Sequence, residues 1–370
     1  ADLCSKDFYM KTINNLFNEI ISESNLRLAL HNAAKGKRDK RSVKSALLNE
    51  DEVVAQLHYE LKNNLWRPKR IHNIKIINDG VQKKKREIVC PDFVKDQVVH
   101  HAIMQVCKPY FINRFYKHSY ASVPKYGGLE NMVKYIRHAM DDKKNTKYFV
   151  KLDIKQFFNS IKPSTVFHTL RRIIRDKKTL VLFAHILRGN VIIHPELGVI
   201  KRGCPIGLYT SQWFANILLT PLDNLIKSFG KKVVPYYVRY NDDMLIFSPN
   251  KRKLKKVVDV VVNHLAQIGL SLKHKAQIHM TSKNKITYVG SLITYSKITM
   301  KPKTFVKTRR CLNHIRKKMN NHQKITSYDA KRAFAYISRC RIYDMHNFIA
   351  DLQLPLDNFK KTISYADKRK

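Results

Sequence analysis

Two adjacent carboxylates, Asp242 and Asp243, stand in the segment Tyr236-Tyr237-Val238-Arg239-Tyr240-Asn241-Asp242-Asp243-Met244-Leu245-Ile246-Phe247, between two aromatic and aliphatic runs. Asn and Asp tolerate left-handed backbone and bond their own main chain. The pattern therefore predicts strand, tight turn, strand, with both acids at the tip. Side-by-side aspartates repel each other unless a cation neutralises them. A solvated acidic turn is the plain alternative, and the charge around the pair argues against it. The 370 residues carry 71 Lys and Arg against 28 Asp and Glu, a formal net charge of +43. Acid in so basic a field suits a divalent metal facing phosphates.

A third acid, Asp153, closes the strand-like run Lys147-Tyr148-Phe149-Val150-Lys151-Leu152-Asp153-Ile154 and is followed by Phe157-Phe158. Taken alone, Asp153 reads better as the cap of a following helix. Taken with Asp242 and Asp243, about ninety residues further on, it offers the converging carboxylates that a two-metal site needs, its cations about 3.5–4 Å apart. Such ions would activate a primer 3′-hydroxyl, bridge an incoming triphosphate and stabilise the leaving pyrophosphate.

The elements that must position these acids are legible in outline. Residues 1–65 read as helical, with Ile13, Leu16, Phe17, Ile20 and Ile21 at three-and-four spacing. A basic turn over 35–41 then precedes a helix carrying Val53, Val54, Leu57 and Leu61, and Pro68 ends the helical region. Residues 70–90 alternate as a hairpin turning at Asn78-Asp79-Gly80, with a cationic second arm from Lys83 to Val89. A helix from Phe93 carries the pair His100-His101, and no third ligand is spaced with them for zinc. Helices are expected over about 129–140 and 164–190, and after the loop Gly203-Cys204-Pro205-Ile206-Gly207-Leu208, capped by Thr210 or Ser211 and kinked at Pro221. Residues 251–268 form an amphipathic helix, 270–273 and 286–290 are strand-like, and 303–370 are helical.

Composition narrows the function class. The length supports a sizeable core of two or three subdomains, and positive charge along the whole chain fits a large polyanion better than one acidic protein. No apolar run reaches spanning length and no secretory signal opens the chain. The six cysteines lie far apart without a Cys-x-x-Cys, so a reducing cytoplasm is the expectation and no membrane is implied.

From about residue 25 onward the sequence resembles the reverse transcriptases. Leu152-Asp153-Ile154-Lys155-Gln156-Phe157-Phe158 is similar to that family's first catalytic motif, and Tyr240-Asn241-Asp242-Asp243 to its Tyr-x-Asp-Asp signature. Tyr288-Val289-Gly290 resembles the primer grip, and Lys84 to Ile88 the fingers motif that meets incoming nucleotide. The resemblance implies an α+β right-hand polymerase fold. It places N-terminal helices and fingers at 1–135, palm at 136–164, an insertion at 165–205, palm again at 206–300 and a helical thumb at 301–370. It implies two Mg2+ ions at Asp153, Ile154, Asp242 and Asp243, with the three acids catalytic. It also implies a nucleotide pocket of Lys84, Arg86, Phe157, Phe158, Ile206, Gly207, Gln212 and Lys273. Phe158 takes the place of the ring that excludes a 2′-hydroxyl, and Lys273 or Lys275 that of the lysine protonating pyrophosphate. Substrates would be dNTPs, an RNA template and the RNA–DNA duplex.

The loop Pro205-Ile206-Gly207 departs from the usual Pro-Gln-Gly and, with Gln212, Phe214-Ala215-Asn216-Ile217 and Leu222-Asp223, is similar to the enzymes of diversity-generating retroelements. Asn25-Leu26-Arg27-Leu28-Ala29, Gly36-Lys37-Arg38, Asp96 to Ala102 and Ser119-Tyr120-Ala121 resemble the same group. That group copies a structured template-repeat RNA with errors at adenine for mutagenic retrohoming, aided by a pentameric accessory variability protein. A retron, group II intron or defence-type enzyme is the alternative within the family, and a non-catalytic RNA-binding scaffold the alternative outside it. Asn241, Tyr209 and Trp213 also depart from usual family residues. Gln can hydrogen-bond nucleotide or template where Ile206 offers only apolar surface. Replacing Ile206 with Gln or Asn is expected to change the error rate at template adenines, scored by sequencing cDNA; an unchanged spectrum would remove this residue as the cause.

Overall fold

The structure, a computed structural model, describes residues 12–69, 71–79, 84–124, 126–189, 191–194, 198–201 and 204–352. Four helices open it: α1 (Phe17–Ile21), α2 (Glu23–Ala34), α3 (Arg41–Leu48) and α4 (Glu50–Lys62). The Ser22 hydroxyl caps α2, and three acids in the first turn of α4 complement its dipole. Helix does not begin at Ile13 as its spacing suggests: that residue forms a bridge with Ile174, donating its N–H to the Ile173 carbonyl at 3.0 Å. Nor does Pro68 stop the helix, since α4 ends at Lys62 and Asn64 turns the chain with a φ of 56°.

Strands β1 (Ile71–Asp79) and β2 (Lys84–Cys90) pair antiparallel, from Asn73 opposite Cys90 to Asp79 opposite Lys84. Asn78 and Asp79 belong to the strand instead of the turn expected there, and Gly80 to Lys83 lie outside the described residues. A wide helical turn over Phe93–Val98, capped by Asp92, leads into α5 (Val99–Ile112); α6 (Leu129–Asp141) and β3 (Tyr148–Asp153) follow. The helical stretch expected over 164–190 is two helices, α8 (Pro163–Ile173) and α9 (Lys177–Arg188), after the short α7 (Phe157–Ser160). Asp176 separates them. Its carboxylate caps α9 through Thr179 and also accepts the N–H groups of Leu16 and Phe17, both at 2.8 Å.

Two strands then appear that periodicity does not announce, β4 (Val191–His194) and β5 (Gly198–Lys201). They extend the first hairpin into a sheet of order β2-β1-β4-β5. Helix α10 (Ser211–Ser228) contains Pro221 within its length, and its N-cap Thr210 makes no side-chain capping bond, unlike the cap expected. Next come β6 (Tyr236–Tyr240), β7 (Asp243–Ser248), α11 (Lys251–Gln267) and β8 (Ile278–Met280), then the small antiparallel sheet β9 (Ile286–Tyr288), β10 (Ser291–Ile293) and β11 (Ile298–Met300). Helices α12 (Pro302–Asn320), α13 (Ser327–Cys340) and α14 (His346–Leu352) close the described chain. The remainder of the helical region expected to 370 lies outside the described residues.

The architecture is α+β, and its middle is the antiparallel sheet of order β6-β7-β3-β8. Side chains alternate across that sheet. Val150, Leu152, Met244 and Ile246 face the large core shared with the N-terminal helices, α5 and α8 to α11. Phe149, Val238, Leu245 and Phe247 face the second core, with α6 and β9 to β11. Covered on both sides, the sheet holds its register firmly, because a one-residue slip would exchange the two faces.

Candidate active site

The two acid-bearing strands meet at one end of this sheet. β3 and β7 pair from Tyr148 opposite Ser248 to Asp153 opposite Asp243, and β6 pairs with β7 as far as Tyr240 opposite Asp243. Asn241 and Asp242 form the turn between them, Asn241 with a φ of 55°. Asn adopts that left-handed conformation more readily than most side chains. The acid directly across from Asp153 is thus Asp243, which begins β7 instead of sharing the tip, and Asp242 sits in the turn beside them.

Asp153 and Asp243 keep 31% of their side-chain surface exposed, and each has a lysine near it. Lys273 Nζ lies 3.6 Å from Asp153 Oδ2, and Lys151 Nζ lies 3.6 Å from Asp243 Oδ1. The Lys273 N–H also donates to the Asp153 carbonyl at 2.8 Å. Geometry therefore puts Lys273, not Lys275, at the acids. Burial raises the Asp243 carboxyl above its ordinary range; the charge of Asp153 adds to this, and Lys151 opposes it.

Among the described residues no three His, Cys, Asp or Glu side chains converge closely enough to form a ready-made metal cage. The donor chemistry still fits: three carboxylates at one sheet end are hard oxygen ligands for a hard divalent cation. The present counter-charges of Asp153 and Asp243 are lysine ammonium groups, which such a cation would replace. Ile154 is buried and bridges Leu272, so any part it plays is through its main chain.

A buried ion pair supports the turn. Arg239 on β6 and Asp223 on α10 are both 0% exposed. The guanidinium donates through Nε and NH2 to the two carboxylate oxygens at 2.8 and 2.6 Å. Its NH1 reaches Asn216 Oδ1 at 2.9 Å and the carbonyl of Asn241, in the β6–β7 turn, at 3.1 Å. The Tyr237 hydroxyl donates to Asp223 at 2.7 Å. Burial alone would lower the Arg239 pKa, but the adjacent Asp223 more than offsets this and keeps the guanidinium charged. Burial, reinforced by the charge of Asp223, holds the Tyr237 phenol protonated well above its usual range. From the second core, the fully buried Tyr288 donates its hydroxyl to the Asp243 carbonyl at 2.8 Å. The turn that follows it, Val289 and Gly290, carries φ values of 43° and 77°.

The remaining expected residues lie around this end. Phe157 is buried and Phe158 half-buried, their ring centroids 5.4 Å apart, on a helical turn that begins after Gln156 at a φ of 44°. The Ile206 carbonyl accepts the Val89 N–H at 2.8 Å, so the loop is fastened to β2 by backbone, while the Ile206 side chain is half-buried. Gly207 has a φ of 119°, and a Cβ there would run into the Val89 backbone, so only glycine fits. Gln212 accepts a hydrogen bond from the Ser122 hydroxyl. Tyr209 stacks on His101, centroids 4.0 Å apart, and burial with Lys37, Lys108 and Lys35 nearby pushes that imidazole down to about 4, leaving it neutral. Lys84 and Arg86 are placed by their backbone in β2, but their side chains lie outside the description.

The support for the turn is not evident in the sequence. Arg239 reads there only as part of a strand, Asp223 and Asn216 only as motif letters, and Lys151 not at all as a site residue. One signal is present: Asn216, Leu219, Asp223 and Ile226 recur at helical spacing on α10 and are all buried. A carboxylate in such a stripe requires a buried cation, and Arg239, inside the apolar strand β6, is a candidate for it.

The family described as reverse transcriptase (RNA-dependent DNA polymerase) matches residues 76–293. No curated protein sequence matches the chain. Among solved structures, apo telomerase from Candida tropicalis is similar at 16% identity and a TM-score of 0.48, over 62% of this chain and 48% of that one. The same enzyme truncated from its C-terminal domain is similar at 18% identity and a TM-score of 0.47, over 63% and 55%. This chain spans about half the length of those solved chains.

The raised Asp243 pKa has a thermodynamic consequence. Its folded value exceeds its unfolded one, so the folded chain loses stability as pH rises from the ordinary carboxylate range through the raised value. Asp243→Asn is expected to melt above the parent at neutral pH without divalent cation, the difference vanishing in acid. Mg2+ should raise the parent's melting temperature and not the variant's, read by scanning fluorimetry; a parent insensitive to the cation would count against a metal site.

Proposed function

The chain belongs to the reverse transcriptase (RNA-dependent DNA polymerase) family, and on that footing we propose that it copies an RNA template into DNA with Asp153, Asp242 and Asp243 as its catalytic acids. The observation that carries this reading is the register that sets Asp153 opposite Asp243 with Asp242 in the adjoining turn. Right-hand polymerase architecture accords with a central antiparallel sheet, a β-rich unit of β1, β2, β4 and β5, and a terminal helical unit of α12 to α14. We assign these to palm, fingers and thumb.

Two Mg2+ ions, when bound, would supply Lewis-acid activation of the primer hydroxyl and charge neutralisation on the phosphates. Asp153, Asp242 and Asp243 would hold them, with Lys151 and Lys273 displaced from the acids. Lys273, freed from Asp153, would give a proton to the pyrophosphate leaving group through Nζ. Phe158 presents a half-buried ring on the turn after β3, where it would pack on the sugar and exclude a 2′-hydroxyl. The Val89–Ile206 backbone bond joins β2, which carries Lys84 and Arg86, to the loop of the nucleotide pocket. One hydrogen bond thereby links phosphate recognition to base recognition.

Within the family we propose a diversity-generating retroelement enzyme that makes adenine-mutagenised cDNA from a structured template-repeat RNA for mutagenic retrohoming, with a pentameric accessory variability protein as partner. The apolar Ile206 in place of Gln supports this reading. The Ile206 carbonyl is held by the Val89 N–H, and its half-buried side chain is the part of the residue left to meet nucleotide or template. Incubating the protein with primed RNA, Mg2+ and dNTPs should give cDNA with errors concentrated at template adenines, and Asp242→Asn should give none. Accurate cDNA would move the assignment to a retron or defence-type enzyme. No cDNA, with or without accessory protein, would contradict polymerase function.

A further inference from the structure

The end of the central sheet opposite the catalytic acids is also built for a polyanion. β3 and β6 begin there and β7 and β8 finish there, because each neighbouring pair is antiparallel. Four connecting segments therefore gather at this end. Those before β3 and before β6 carry Lys143, Lys144, Lys231 and Lys232; those after β7 and after β8 carry Lys251, Lys253, Lys283 and Lys285. All eight side chains are exposed. Among the described residues none forms an ion pair with a carboxylate.

The segments are fastened to one another. The Thr281 N–H donates to the Lys147 carbonyl at 2.9 Å and its hydroxyl to the Thr146 carbonyl, joining the segment before β3 to the one after β8. The Tyr236 hydroxyl donates to Asp142 at 3.0 Å, tying in β6. Lys143 lies over the Tyr295 ring, 5.9 Å from its centroid. Adjacent strands are roughly 4.8 Å apart, so the lysines spread over a face on the order of 15 Å wide. β3 is six residues long, which puts this face roughly 17–20 Å from Asp153. It is a different surface from the active site.

We propose that this face is a second nucleic-acid site, one that grips the phosphate backbone of a double-helical segment of the RNA being copied, outside the catalytic cleft. The proposal rests on the polymerase reading for the identity of the RNA. Two acids, Asp141 and Asp142, stand beside the eight exposed lysines, and none of the eight is paired with a carboxylate, so the lysines gain by releasing counterions from phosphates. Their spread over three loops and the first turn of α11 fits backbone and shape recognition, not base readout. An anionic membrane is the poorer match. Of the large apolar side chains here only Met280, at 37% exposure, reaches the surface, leaving almost nothing to insert between lipids.

The test compares parent with a variant carrying Lys143→Glu, Lys144→Glu, Lys251→Glu and Lys253→Glu, and with the same four positions changed to Gln. Binding is measured across a salt series to two probes, a long stem-loop RNA and a short RNA–DNA primer duplex that fills only the cleft. Stem-loop affinity should fall about tenfold or more in the Glu variant and less in the Gln variant. The slope of log affinity against log salt should fall by roughly 0.7–0.9 for each phosphate no longer neutralised. Short-duplex binding and extension should match the parent. Unchanged stem-loop binding, or equal loss on both probes with an unaltered melting temperature, would overturn the proposal. So would loss of binding to phosphatidylserine vesicles with RNA binding intact. A parent that fails to extend the short duplex would sink the polymerase reading alone, because the binding comparison still decides this one.

Discussion

The Arg239–Asp223 pair is the constraint on which the acid-bearing end of the central sheet depends. Two opposite charges without solvent exposure are costly to desolvate, and geometry must compensate with hydrogen bonds on every side. Here it does so: the carboxylate receives Nε, NH2 and the Tyr237 hydroxyl, while NH1 is shared between Asn216 and the Asn241 carbonyl. The last of these bonds matters most. It carries the rigidity of α10 into the turn that displays Asp242 and Asp243, two residues that repel each other and would otherwise spread. Through Asn216, whose amide donates to the Ala121 carbonyl, the same network also fixes the loop before α6.

Support comes from both faces of the sheet. The Arg239 network acts from the α10 side, and Tyr288 acts from the side of β9 to β11, bonding the Asp243 carbonyl. The turn is thereby held between two cores while its carboxylates stay partly exposed. The lysines complement this arrangement. Lys151 and Asp153 share a face of β3, two residues apart, so a cation and an anion both approach Asp243 from the neighbouring strand. An ammonium group on a flexible stem neutralises the acids loosely, at 3.6 Å, and yields readily to a better-placed charge.

Elements with strong local chemistry can be read from the sequence. Alternating apolar runs around Asn241-Asp242-Asp243 mark the hairpin, and Val150 and Leu152 in one core with Phe149 in the other bear out the strand leading to Asp153. Elements whose existence depends on distant partners cannot. β4 and β5 are four residues each and form because β1 offers an open edge, so their short apolar runs merge in the sequence with the preceding helix. β10 and β11 are three residues each and carry no countable period. Ile13 satisfies a helical pattern yet is drawn into a bridge with Ile174, tertiary contact overriding local preference. The order of the acids is subtler. The sequence pattern puts both acids at the tip, whereas a two-residue turn at Asn241-Asp242 leaves Asp243 as the first residue of β7, facing Asp153.

If the buried pair positions the turn and does not merely stabilise the fold, an apolar replacement separates the two roles. Buried ion pairs exchanged for well-packed apolar side chains often leave stability unchanged or improved. The double variant Arg239→Met, Asp223→Leu, made in a Tyr237→Phe background so that no buried phenol loses its acceptor, is therefore expected to keep that background's melting temperature. It loses the anchor on the Asn241 carbonyl, and single-turnover nucleotide incorporation should slow by about a hundredfold, the scale of a 1 Å misplacement of catalytic groups, with nucleotide affinity little changed. A stable double variant that incorporates nucleotide at the background's rate would show that the acids hold their positions without Arg239 and Asp223.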